Sequence, residues 1–140
     1  ITIDCPECVE GKKVLVVEDG PTLTHGGMAY GAGTFAAKRY HSRIVDPRPC
    51  LTGSLGKVFK QYPHLGKILP AMGYGQRQLE ELRQVIDCVE CDVVISATPT
   101  DLSRIIECNK PIVRVNYELE ELGRPNLSEI LEEFIASRKL

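Results

Sequence analysis

Five short apolar runs punctuate the chain, separated by segments of helical character. The runs are Lys13–Glu18, Arg43–Asp46, Lys67–Ala71, Asp92–Ala97 and Ile112–Tyr117. They are rich in Val and Ile and mostly lack polar alternation, as strands covered on both faces do. Gln76–Val89 carries Leu79, Leu82, Val85, Ile86 and Val89 at helical spacing, so one face of that helix belongs to a core. Asn126 with Glu129 forms a capping-box pattern, and Leu127, Ile130, Leu131, Phe134 and Ile135 supply the apolar stripe of a last helix. Thr100-Asp101 opens a shorter helix through Glu107, with Thr100 as its cap, and Asn109-Lys110-Pro111 ends it. Such alternation predicts βαβ units, and so a doubly wound, Rossmann-like α/β fold with a mainly parallel sheet of about five strands. Val14–Val17, apolar on both faces, belongs at its centre. Residues 1–10 read as a connector, Gly11 as a hinge, and residues 11–140 as a single domain.

Polar residues after the first strand add candidate chemistry. Ligands of α/β proteins bind outside the carboxyl ends of the strands. The free N–H groups at a helix start favour an anion. Asp19, Gly20, Thr22, Thr24, His25, Gly26 and Gly27 stand there. The hydroxyls can donate to a phosphate, the glycines let backbone approach it, and Asp19 and His25 are candidate catalytic groups. If Thr24–Gly27 opens the next helix, an anion has its seat. A parallel topology would bring Asp46 and Arg48, Gly73 and Gly75, and Thr98 to the same edge. Arg48 suits a phosphate; it equally suits a rigid Pro-bounded turn. Asp19 and Asp46 suit Mg²⁺ or sugar hydroxyls beside the phosphate.

Composition narrows the partners. Seventeen basic against nineteen acidic residues leave a net charge of −2, with no field to gather nucleic acid or an anionic membrane. No apolar run is long enough to span a bilayer. Six cysteines in a chain with 43% hydrophobic residues read as thiols in a reducing cytoplasm, since a domain of this size needs no disulfide staples. Cys5/Cys8 and Cys88/Cys91 form two C-x-x-C pairs that could instead make a Cys₄ zinc site. Buried thiols are the simpler reading, and neither pair is placed like a thioredoxin motif, after a first strand and opening a helix. The chain begins with Ile1, compatible with a processed product or a piece of a larger protein.

The phrases VLVVEDGPTLTHGGMAYGAG, IVDPRP, LPAMGYG, ISATPTDLSRII and KPIVRVNYEL resemble the carboxyl-terminal region of the predicted GTPases related to cyclic 2,3-diphosphoglycerate synthetase. The resemblance runs from Gly11 to about Phe134. It implies a nucleotide-dependent enzyme acting on a phosphorylated small molecule, with a P-loop domain upstream. The P-loop itself is absent: Gly53-Ser54-Leu55-Gly56-Lys57-Val58 has the wrong glycine spacing and Val58 in place of the Mg²⁺-binding hydroxyl. Gly31-Ala32-Gly33-Thr34-Phe35-Ala36 formally matches a dinucleotide fingerprint, but Gly31 lies too far beyond the strand, and its glycines are expected inside a helix packed closely on the sheet. Two functions stay open: binding of a phosphorylated metabolite or nucleotide with Mg²⁺, or assembly with a partner subunit, a second copy or the P-loop domain.

Overall fold

The apolar run after Gly11 forms β2 (Lys13–Asp19), and the rest of the sheet is arranged around it. The structure, a computed structural model, describes residues 1–138. Five further strands are β1 (Thr2–Ile3), β3 (Arg43–Ile44), β4 (Leu69–Ala71), β5 (Val93–Ala97) and β6 (Ile112–Asn116). The helices are α1 (Pro6–Val9), α2 (Gly20–Gly26), α3 (Ala32–Arg39), α4 (Gly53–Gln61), α5 (Gln76–Cys88) and α6 (Leu127–Arg138), with 3-10 turns at Arg48–Cys50 and Leu102–Arg104. The sheet runs β1-β6-β5-β2, and both β3 and β4 pair with the remaining edge of β2. All pairings are parallel except β1 with β6. This is the Rossmann-like α/β fold that the alternation predicts, with β2 in its interior.

Residue parity along β2 builds two cores. Val14 and Val16 join Ile95, Val113, Leu23 and Ala36 on one face. Leu15 and Val17 join Val94, Leu82, Val85 and Ile86 on the other. Successive strand side chains point to opposite faces, so an unbroken apolar run feeds both layers.

Several elements depart from the expectations. The first ten residues are more than a connector: β1 pairs antiparallel with β6, and Val9 of α1 is fully buried. Two residues are too few to show as an apolar run. The segment after Thr98 makes only a 3-10 turn, capped by Asp101 and not by Thr100: the Asp101 carboxylate accepts the Ser103 N–H at 3.2 Å. So short a segment meets the full cost of helix nucleation with few bonds to offset it. Helix α4 grows from the Gly53–Val58 string, where only a failed P-loop was visible. The capping box of α6 forms as read, with Asn126 and Glu129 exchanging bonds of 3.0 and 2.8 Å. Its apolar stripe does not reach the core: Leu127, Ile130, Leu131, Phe134 and Ile135 are each about half exposed.

The cysteines also differ from the reading of free thiols. Cys5 bonds to Cys8 and Cys50 to Cys88, leaving Cys91 and Cys108 free. Burial pushes the Cys91 thiol up. Cys5 packs against one core, while Cys50 and Cys91 pack against the other. A Cys₄ cluster drawing on both C-x-x-C pairs is therefore not formed. The Cys5–Cys8 pair does follow a strand and open a helix, contrary to the sequence reading. No helix among the described residues is long and apolar enough to cross a membrane.

The Cys50–Cys88 bond spans a sequence separation of 38 and ties the turn before α4 to the end of α5. Chain entropy alone assigns such a cross-link about 4 kcal/mol. Cys88→Ser should lower the unfolding free energy in urea by roughly 2–4 kcal/mol, and reductant should do the same to the wild type. Identical curves with and without reductant would show that this bond does not form in solution.

Candidate functional site

Glu18 and Asp19 end β2 at the carboxyl edge of the sheet. Glu18 shares the parity of Val14 and Val16, so its side chain enters a core layer and is only 2% exposed. A buried carboxylate needs partners. It finds them at the start of α3: Oε1 accepts the N–H groups of Gly31 and Thr34, both at 3.0 Å, and Oε2 accepts that of Gly33 at 3.3 Å. The Thr34 hydroxyl adds a bond of 3.4 Å to Oε1. Burial pushes the Glu18 pKa above its ordinary 4.5, opposed by these hydrogen bonds.

The glycines of the GAG string are there for this contact. A Cβ on Gly31 would stand 2.8 Å from Glu18 Oε2, and one on Gly33 would stand 2.6 Å from Val16 Cγ1. Gly33 thus packs α3 on the sheet, as expected from the string. The N–H groups that a dinucleotide pyrophosphate would use are already bonded to Glu18.

Beside Glu18 opens a cleft of about 420 Å³, lined by Asp19, Thr22, Leu23, Met28, Gly31, Ala32, Ala97, Pro99, Tyr117 and Ile1 as well. Its walls are mostly apolar, and its charged side chains are the two carboxylates. Asp19 Oδ2 accepts the Thr22 hydroxyl. This arrangement suits a ligand with an apolar stem and a cationic or hydrogen-donating end.

The other sequence candidates do not converge on that cleft. Thr24–Gly27 closes a helix instead of opening one: α2 spans Gly20–Gly26, and Gly27 is its left-handed cap at φ 63°. Thr24 is buried, its hydroxyl reaching Pro21 O at 3.4 Å, and His25 is exposed. Gly20 lets α2 approach β4, because a Cβ there would meet Ala71 O at 2.7 Å. Asp46 does not reach the level of Asp19. Ile44 pairs beside Val14, whereas Asp19 pairs beside Ala71. Asp46 therefore leaves the sheet near Val16, roughly 10 Å short of Asp19. Its carboxylate holds Arg48 at 2.8 and 3.0 Å, and Arg48 also donates to Leu65 O at 2.6 Å. The Arg48 guanidinium is thus engaged within a rigid, Pro-bounded turn.

Gly73 sits against the Gln78 side chain, 2.5 Å from where its Cβ would be, and Gly75 precedes α5. Thr98 is buried, with its hydroxyl donating to Thr100 O at 2.6 Å, although it lines a second groove. Among the described residues, the one close grouping of potential metal-binding side chains is Cys5, Glu7 and Cys8, whose two sulfurs are joined in a disulfide and so offer no thiolate; Asp19 and Asp46 form no such group. Sequence reading missed Glu18 and Tyr117 of this cleft. Parity could have found Glu18, an acid on the core side of an otherwise apolar strand.

Glu18→Ala should destabilise the fold by about 3 kcal/mol in denaturant titrations, since buried N–H groups lose their acceptor. The raised pKa adds a pH signature. Stability contributed by the protonated form is complete below pH 4.5 and is lost as pH rises through the raised value. Wild-type stability, measured relative to Glu18→Gln, should therefore fall as pH rises above 4.5. A flat difference between pH 4 and 8 would contradict this.

The chain is similar to "Arginine synthetase ArcE" of Thermococcus kodakarensis, with 58% identity over 135 residues. That match takes in 96% of this chain and 30% of the relative. The chain thus spans about 30% of the length of the curated relative it matches. No protein-family profile matches it, and no solved structure does. The likeness is to one part of a larger synthetase.

Proposed function

We propose that this chain is a domain of a larger arginine-synthetase-type enzyme, and that its cleft receives the nitrogen-rich small molecule rather than a bare phosphate. One observation carries the reading: the Glu18 carboxylate occupies the N–H groups of α3, so the cleft presents negative charge beside apolar walls. A guanidinium is planar, weakly hydrated and matched to carboxylates. The name of the relative supports that ligand class. The resemblance to GTPases related to cyclic 2,3-diphosphoglycerate synthetase agrees with that relative on a larger enzyme, and by this resemblance a nucleotide and its Mg²⁺ belong to a P-loop domain elsewhere. Any phosphorylated ligand at this edge would need Mg²⁺ beside Asp19 to offset the two carboxylates.

Calorimetry separates the two. L-arginine should bind, and Asp19→Asn should weaken it about tenfold or more. Inorganic phosphate and GTP, with or without Mg²⁺, should give no comparable heat. Binding of GTP or phosphate without arginine would reverse the assignment.

The exposed stripe of α6 supports a second reading, in which the domain serves assembly. Contiguous exposed apolar surface marks interaction sites. Sedimentation of the wild type and of Ile130→Glu tests it. A wild-type oligomer that becomes monomeric in the variant would favour assembly; identical monomers would leave no self-association at α6.

A further inference from the structure

Resting on the reading of the cleft just given, we propose that the site extends past it into a second groove, and that Arg114 and Glu118 there hold the α-carboxylate and α-amino group of an amino acid whose cationic side chain lies in the acidic cleft. The two hollows share walls. Pro99 and Tyr117 line both the Glu18 cleft and a groove of about 500 Å³ that also includes Thr98, Arg114, Asn116 and Glu118. Both open on the carboxyl edge of the sheet. Asp19 ends β2 and Arg114 belongs to β6, with β5 between them. Arg114 pairs level with Ser96, and so with Val17, two residues short of Asp19. Two strand spacings across and two residues along put their backbones roughly 12 Å apart, a gap that an extended arginine held between the two side chains can bridge.

The charges are ordered for such a ligand. Arg114 donates to Pro99 O at 3.1 Å, which brings its guanidinium to the shared wall. Its nearest carboxylate, Asp101, is 4.0 Å away and already accepts the Ser103 N–H and hydroxyl. Arg114 remains 39% exposed, leaving donors for an anion. Glu118 lines the same groove and can take an ammonium. Between the charged ends, Pro99 and Tyr117 offer apolar surface to a methylene stem. The class is thus an α-amino acid with a cationic or guanidino side chain, bound by both ends.

L-arginine and agmatine, its decarboxylated counterpart, separate this inference from the reading it rests on. By calorimetry the wild type should bind arginine at least tenfold more tightly than agmatine, a comparison that needs no variant. Arg114→Gln should erase that preference by weakening arginine while leaving agmatine unchanged. Asp19→Asn should weaken both. Thermal melting of each variant checks that the fold is intact. Equal binding of the two ligands by the wild type would overturn the extended site and leave the acidic cleft standing. Arg114→Gln weakening both ligands alike would overturn it as well. If neither ligand binds, the cleft assignment and this extension fall together.

Discussion

A single buried carboxylate organises the functional edge of this protein. Glu18 meets three N–H groups at the start of α3, where unsatisfied donors and the helix dipole both attract negative charge. The contact supplies what a bound phosphate would supply in a nucleotide-binding relative of the fold. It also fixes where α3 crosses β2, forces glycine at positions 31 and 33, and makes a carboxylate the floor of the cleft. Desolvating the charge is costly, which is why burial raises its pKa. The hydrogen bonds offset that cost only while α3 stays in place, so acid and helix specify each other.

The same device recurs at α4. Glu81 of α5 accepts the Ser54 N–H at 3.2 Å and the Ser54 hydroxyl, and a Cβ on Gly53 would stand 2.8 Å from its Oε1. Gly53 has φ 55°, a left-handed conformation that glycine adopts without strain. Hydrogen bonding to Ser54 holds the Glu81 carboxyl below the usual range. The string that imitates a P-loop is therefore a helix start satisfied from within. The two strings that formally imitate nucleotide-binding motifs, Gly31–Ala36 and Gly53–Val58, each accommodate a protein carboxylate instead.

Repeating local patterns were legible: parallel strands in Val/Ile runs, α5 in its apolar spacing, and the cap at Asn126. The position of each strand along its neighbour was not. Nothing in Arg43–Asp46 reveals that β3 stops beside Val14, leaving the upper edge of β2 to β4. That division separates Asp46 and Arg48 from Asp19. Pairing of Cys50 with Cys88 was hidden for the same reason, since it depends on how the turn before α4 meets the end of α5. The half-exposed stripe of α6 shows the limit of periodicity: it marks an apolar face without naming what covers it.

Where β4 takes over the edge of β2 also decides where a ligand fits. Packed against β4, α2 closes that side, and Gly20 permits an approach that any side chain would block. Open space is left on the other side, above β5 and β6, where the chain leaves through Pro99 and Tyr117. In a doubly wound sheet a crevice forms where connections diverge to opposite faces. Here α3, which follows β2, and the Leu102–Arg104 turn, which follows β5, serve opposite layers, so the crevice opens between the ends of β2 and β5. Carboxylates from β2 meet it on one flank and Arg114 on the other. That polarity comes from carboxylates at the end of β2 and a guanidinium rising from within β6, and it can orient an elongated ligand without any moving part.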